Sequence, residues 1–358
     1  VVANAVVADA AVTGAAVAAV RVGGLPGAPW PEYLADDAVR ERCLDAVVRL
    51  GFALLRGVPV APGTVTAVAE TFGFVRETNN GRLFDVRVVA DPANLAFTSR
   101  ELAPHTDNPY RDPVPTLQLL HCLRDAVSGG DTGLIDGFAA AAALRAEDPA
   151  SFSLLTTIEW PFAYIDKETE LRATQPLISL TPAGRITGVR LNDRAIRPLR
   201  GVPARQAEAA YAAYRAWENV VARPEFRLTL RLAPGDCLIF DNTRILHART
   251  AFDAPAPAAT APAAATPSTA PAAPAATTPA AAPAATLATT PAAATPSTAP
   301  AAPAATAPAA APVATTTAAP SAPSAPSAAG ERHLQGCYAD IDGLLSTLAV
   351  LDRRTSIA

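Results

Sequence analysis

Residues 226–250 read FRLTLRLAPGDCLIFDNTRILHART. Two short apolar runs, 226–232 and 237–241, flank Ala233-Pro-Gly-Asp236, which predicts a β-hairpin. A further strand is expected at 245–250, and it carries His247. The same pattern recurs outward from this stretch. Residues 116–123 (TLQLLHCL) form an apolar run between Pro115 and the turn-rich Ser128-Gly-Gly130. Residues 51–56 (GFALLR) stop at Gly57 and Pro59, residues 83–89 alternate, and residues 333–338 read as another strand. Helical patterns are fewer. Residues 62–72, 137–147 and 341–351 suit helices, and 205–221 places Ala207, Ala210, Tyr214, Trp217 and Val221 at helical spacing. Many strands, a few helices and no βαβ alternation predict a mainly β fold, a sandwich or barrel with peripheral helices.

Composition divides the chain into two materials. Residues 254–329 hold 38 Ala, 17 Pro, 14 Thr and 5 Ser among 76 residues, with no charge and no aromatic. The 16-residue unit PAAATPSTAPAAPAAT occurs there twice, at 262–277 and 291–306. Such a segment buries too little apolar surface to offset chain entropy, so a disordered, extended loop is expected. Folded-looking sequence resumes after it. The expected organisation is therefore one domain over 31–253 plus 330–358, interrupted by 254–329, behind a poorly ordered N-terminal segment 1–30. Closing so long a loop costs only about 2 kcal/mol more than closing a short turn.

A net charge of −4 with no basic cluster argues against nucleic acid as a partner. The Ala/Val-rich first 20 residues are interrupted by Asn4 and Asp9 and lack a basic flank, so no membrane span is expected. Cys43, Cys122, Cys237 and Cys337 show no CxxC spacing. They read as reduced, buried thiols of a cytoplasmic protein.

The chemistry lies in the histidines, of which there are four. His105-Thr-Asp107 sits in a turn-prone stretch, and alternate residues near a strand end project to one side. Two imidazoles and one carboxylate on one face form the facial triad of non-haem Fe(II) oxygenases, and His247 is the best candidate for the second imidazole. His121 and His333 read as structural groups.

The order of motifs carries more information than His-x-Asp alone. His105-Thr-Asp-Asn-Pro-Tyr110, Leu117-Gln-Leu-Leu-His-Cys122, Gly129-Gly-Asp-Thr132, Phe240-Asp-Asn-Thr-Arg-Ile-Leu-His-Ala-Arg249 and Arg332-His-Leu-Gln-Gly-Cys-Tyr-Ala-Asp340 follow one another. This series resembles the 2-oxoglutarate-dependent dioxygenases of the taurine-dioxygenase superfamily, and within it the carnitine-forming γ-butyrobetaine dioxygenases. The resemblance implies a double-stranded β-helix (jelly-roll) core. It implies Fe(II), O2 and 2-oxoglutarate, with ascorbate as an optional reductant. His105, Asp107 and His247 match the iron ligands. Arg332 matches the anchor for the distal carboxylate of 2-oxoglutarate, where a guanidinium fork grips with two parallel hydrogen bonds. Thr132 and Leu120 match cosubstrate-binding positions. Phe84, Phe97 and Tyr338 match the aromatic cage for a trimethylammonium group, with Asn80 standing where another aromatic is expected. Asn94 and Asn192 match asparagines lining the substrate site.

The implied function is hydroxylation of a small trimethylammonium substrate, with γ-butyrobetaine to carnitine as the leading case. Another betaine or a trimethylaminoalkyl phosphonate is the close alternative, with Asn192 and Arg194 facing its head group. A different class also stands open: a non-catalytic binding module whose active-site hairpin, between His247 and Arg332, is disabled by the 254–329 segment. The family often carries a small N-terminal zinc domain. No Cys/His cluster precedes Cys43, so either the start is truncated or the lineage lacks that domain, and a homodimer stays an open expectation.

Overall fold

The computed structural model describes residues 24–89, 97–126, 128–253 and 332–355. The N-terminal stretch up to residue 23, Asn94 and the 254–329 segment lie outside the described residues. In chain order the strands and helices are β1 (Gly27–Pro29), α1 (Trp30–Ala35), α2 (Asp37–Leu50), β2 (Phe52–Arg56), α3 (Thr64–Ala69), β3 (Val75–Arg76), β4 (Phe84–Arg87), β5 (Leu102–His105), β6 (Leu117–Arg124) and β7 (Thr132–Asp136). They continue with α4 (Gly137–Glu147), α5 (Pro149–Thr157), β8 (Glu159–Ile165), β9 (Glu170–Pro176), β10 (Ile178–Leu180), β11 (Ile186–Val189), α6 (Ala204–Val221), β12 (Arg227–Leu230), β13 (Cys237–Asp241), β14 (Ile245–Arg249), β15 (His333–Ala339) and α7 (Ile341–Thr355). All belong to one compact unit. No described helix is long and apolar enough to cross a membrane.

Two sheets face each other. The larger runs β1-β2-β13-β6-β15-β3, with β4 also pairing β15. The smaller runs β12-β7-β14-β5. Between them lies a core that includes Phe52, Leu120, Leu134, Leu230, Leu238, Phe240 and Leu334. Strand β6 sits centrally, and seven of its eight residues are buried. Its alternation serves two cores: Leu117 and Leu119 pack outward with α2, α3 and α7, while Leu120 and Cys122 point between the sheets. On the far side, β7 and β14 pack on α4–α6, where Trp160 and Trp217 are fully buried. Each large buried side chain of this kind contributes about 2–3 kcal/mol.

The mainly β architecture with peripheral helices is as expected, but its connections differ in three places. The runs around Ala233–Asp236 are not a hairpin, because β12 pairs β7 in the small sheet and β13 pairs β2 and β6 in the large one. The turn is real: Asp236 N–H donates to the Ala233 carbonyl, and Gly235 has φ 91°. It serves as a corner between sheets, since Leu230 and Leu232 both enter the inter-sheet core. Strands β14 and β15 likewise lie in opposite sheets, so His247 and Arg332 do not flank a hairpin. Finally, β1 and β2 pair in parallel around α1 and α2, one βαβ unit where none is expected. Its first strand, Gly27–Pro29, falls within the N-terminal 30 residues read as poorly ordered. Helix α2 has clear signals: the Asp36 carboxylate accepts from Ala38 and Val39 amides, and Gly51 closes the helix at φ 89°. Helix α3 is shorter than the 62–72 pattern suggests, because Gly63 precedes it at φ 87°, outside helical geometry.

Candidate functional site

Strands β5 and β14 are neighbours, and His247 pairs directly with His105. Directly opposed residues share one face of a sheet, so the two imidazoles stand together with ring centroids 4.2 Å apart. Asp107 lies beyond the end of β5 and has to be turned back. Asn242 does this: its Oδ1 accepts from the Asp107 amide at 2.8 Å, and its Nδ2 donates to the carbonyls of Asp107 and Pro115, each at 3.0 Å. Asn192 holds the other side, donating to the Thr106 carbonyl at 2.9 Å. Asp107 then presents one oxygen 3.6 Å from His105 Nε2 and the other 3.8 Å from His247 Nε2. One ligand atom from each of the three side chains lies within 4.8 Å of the others.

The electrostatics suit a divalent metal. Burial, opposed in part by Asp107, pushes His105 below its ordinary value. His247 is pushed down to about 3, by burial first and then by His105. Burial alone would raise the Asp107 carboxyl, yet the two histidines, Arg194 and the Tyr338 hydroxyl hold it below the usual range. The set is thus two neutral imidazoles and one carboxylate, the protonation state that ligation requires. His105 Nδ1 lies 2.9 Å from the Ala103 carbonyl, which fixes its proton there and leaves Nε2 as the donor. The donor set fits Fe(II) in a facial triad.

The triad opens into a cavity of about 520 Å³ between the sheets. Thr132, Leu120, Arg332, Asn80, Phe84, Phe97, Asn192 and Tyr338 all line it together with the three donors. Asn94 is outside the described residues. Thr132, Leu120, Arg332, Asn192 and Tyr338 are buried, whereas Asn80 is exposed at the wall. The rings of Phe84 and Tyr338 lie 5.1 Å apart. Gly336 makes room for this pair, since a Cβ there would come 2.5 Å from the Phe84 ring. Tyr338 is more than an aromatic face, because its hydroxyl donates to Asp107 Oδ2 at 3.0 Å. Asn192 is partly committed to the loop, with its carbonyl oxygen accepting from the Ala195 amide as well.

Sequence reading did not single out several of the lining residues. Tyr110 and Tyr164 face the cavity with ring centroids 5.2 Å apart. Tyr110 stands within the quoted His105–Tyr110 motif, but Tyr164 comes from the β8–β9 hairpin and has no motif of its own. Arg197 and Arg249 also line the wall. Burial first, and then Arg332 and Arg194, bring Arg249 down to about 10.

Two facing, mainly antiparallel sheets with two histidines and an aspartate at the cavity they enclose define the jelly-roll oxygenase class. The chain matches the taurine catabolism dioxygenase TauD, TfdA family over residues 13–260, and it belongs to that family. Among curated proteins it is 41% identical over 218 residues to the γ-butyrobetaine dioxygenase of Pseudomonas sp. (strain AK-1), covering 61% of this chain and 56% of that one. It is 32% identical over 240 residues to the trimethyllysine dioxygenase of Meyerozyma guilliermondii, covering 64% and 60%. The chain thus spans between half and two thirds of the length of these relatives. Among solved structures it is similar to AAD-2 in complex with Mn(II) and N-oxalylglycine, with TM-score 0.50, 17% identity, and coverage of 61% of this chain and 85% of that one. That likeness bears on the fold.

Proposed function

We propose that this chain is an Fe(II)- and 2-oxoglutarate-dependent hydroxylase of a small trimethylammonium substrate, with γ-butyrobetaine as the leading case. The observation that carries this reading is the buried His105–Asp107–His247 donor set opening into an aromatic-walled cavity. When bound, iron supplies O2 activation coupled to oxidative decarboxylation of 2-oxoglutarate. The chain's own residues do the positioning. His105, Asp107 and His247 hold the metal. Arg332 grips the distal carboxylate of 2-oxoglutarate with Thr132 beside it, and Leu120 forms an apolar wall. Phe84, Phe97 and Tyr338, joined by Tyr110 and Tyr164, offer negative π faces to a cationic head. Asn192, Asn94 and Asn80 serve the rest of the substrate. Holding the target carbon near the metal would add to the rate by orienting the reacting atoms. The names of the relatives at 41% and 32% identity support the trimethylammonium class.

A second substrate reading has its own observation. Arg194 and Arg197 line the same wall as Asn192, which suits a more highly charged acidic group such as a phosphonate. The non-catalytic reading loses its ground, because Arg332 lines the cavity with the triad although 85 positions separate it from His247. The same proposal takes a small molecule as partner and, with four free buried cysteines, a cytoplasmic setting.

The test is succinate formation by purified, iron-loaded protein against a panel of trimethylammonium carboxylates and phosphonates. Stimulation by γ-butyrobetaine above the others is expected. Absence of succinate with every member overturns the hydroxylase reading.

A further inference from the structure

Phe252 and Arg332 stand on either side of the 78 residues outside the described fold, yet they touch. The Arg332 guanidinium carbon lies 5.7 Å from the centre of the Phe252 ring. The Arg249 guanidinium carbon lies 4.9 Å from the centre of the same ring. All three side chains are buried. Arg249 and Arg332, two buried cations that line the cavity, share this one aromatic ring.

The ring is pinned by its backbone. Phe252 N–H donates to the Ser99 carbonyl at 3.0 Å, and Phe252 bridges Gly129. Gly130 N–H donates to the Ala251 carbonyl at 3.2 Å. Gly130 also clears space for the anchor, since a Cβ there would lie 3.0 Å from Arg332 Cδ. Arg249 has a second attachment, its Nη2 donating to the carbonyls of Thr98 at 2.6 Å and Arg100 at 2.7 Å. Those carbonyls belong to the segment that presents Phe97 to the cavity. The chain of contact therefore runs from Arg332 through Phe252 to Arg249 and on to the 97–100 wall. A flat aromatic face both attracts a guanidinium and fixes its plane, and a bidentate grip on a carboxylate requires a fixed plane.

We propose that Phe252 and Arg249 are positioning residues for the cosubstrate anchor: Phe252 holds the Arg332 guanidinium in the plane that grips a dicarboxylate, and Arg249 ties that assembly to the 97–100 wall. The inference rests on the assignment of 2-oxoglutarate to this cavity.

The experiment is anaerobic titration of full-length, Fe(II)-loaded protein with 2-oxoglutarate, followed by the metal-to-ligand charge-transfer band. Phe252→Leu removes the π face and is expected to raise the Kd about 5- to 30-fold, while Phe252→Tyr keeps it and stays within about 3-fold of wild type. 2-Oxobutyrate, which lacks the distal carboxylate, binds wild type and Phe252→Leu alike. A merely structural role for the ring would move both ligands together. Arg249→Lys shortens the side chain and withdraws the donor from the Thr98 and Arg100 carbonyls. It is expected to raise amide exchange in a peptide covering 97–105 and to abolish the protection 2-oxoglutarate confers there. Equal 2-oxoglutarate affinity in wild type and Phe252→Leu overturns the inference alone, as does parallel loss of both ligands. No band in wild type overturns it together with the cofactor assignment. If Phe252→Leu does not fold, Arg249→Lys decides: exchange unchanged from wild type overturns the proposal.

Discussion

The two sheets build the cavity by different means. The small sheet supplies the metal end through register: His105 and His247 are opposed residues on adjacent strands, and Thr132 pairs with Arg249 one strand further on. One pairing error of a single residue would turn these side chains to the opposite face. The large sheet and its neighbours supply the other walls through packing. Phe84 comes from β4 and Tyr338 from β15, Arg332 stands just before β15, and Phe97 lies on a separate segment. The metal end is fixed by few, stiff relations, while the substrate end is a sum of many adjustable ones. Substitutions at the first are expected to be all-or-none, and those at the second graded.

The largest effect is expected at the donors. His105→Ala or Asp107→Ala should cut 2-oxoglutarate decarboxylation at least ~1000-fold, since metal catalysis contributes several kcal/mol. Succinate release from iron-loaded protein measures it, and substantial turnover in either variant would sink the metal assignment.

Next comes Asn242, which does not line the cavity but clamps the Asp107 backbone. Asn242→Ala should weaken iron affinity about 10- to 100-fold, the usual cost of losing a group that orients a ligand. Iron titration against a competing chelator reads this directly. An unchanged affinity would mean that β5 register alone sets Asp107, making the small sheet stiffer still.

Graded behaviour is expected across the cavity. Phe84→Leu removes one π face and should raise KM for a trimethylammonium substrate about 3- to 30-fold, with 2-oxoglutarate affinity unchanged. Tyr338→Phe separates two roles, because it keeps the face and loses the hydroxyl that donates to Asp107. It should therefore alter iron or cosubstrate binding more than substrate KM. A substrate KM effect equal to that of Phe84→Leu would show that the hydroxyl, rather than the ring, serves the substrate.

This division also explains what was legible. His105 and Asp107 were legible from their His-x-Asp spacing and His247 as an imidazole on an expected strand, whereas Thr132 was reached only through the resemblance of the Gly129–Thr132 motif. The corner at Ala233–Asp236 was misread because turn residues report a reversal and not the partner of the next strand. Whether Phe226–Leu232 pairs its neighbour or crosses to β7 depends on long-range packing of Leu230 and Leu232. Tyr164 and Arg197 were invisible for a related reason. They reach the cavity through the hairpin β8–β9 and the segment after β11, whose sequences carry no motif, and only the folded chain brings them there. Asn242 stood inside a quoted motif, but an asparagine between two strands reads first as a turn residue. Its clamp on a loop 135 positions away has no local signature.

The smallest effect on turnover is expected where the sequence looked most disruptive. Residues 254–329 fall in the sequence between Phe252 and Arg332, and those two side chains meet. Among the described residues the flanking strands have partners of their own: β14 has β7 and β5, and β15 has β6, β3 and β4. Replacing 254–329 with about eight Gly/Ser residues, which reach up to ~26 Å, should thus leave kcat and the Kd for 2-oxoglutarate within about 3-fold of the full chain. Stability should rise, because closing a loop roughly ten times shorter recovers about 2 kcal/mol. In a domain of this size that corresponds to a melting temperature higher by several degrees. Loss of cosubstrate binding in the shortened chain, with the fold retained, would mean that the 254–329 segment helps hold Arg332 against Phe252. The large sheet's end of the cavity would then depend on sequence outside the sheets, and the contrast with the self-sufficient small sheet would be sharper than the strands alone make it.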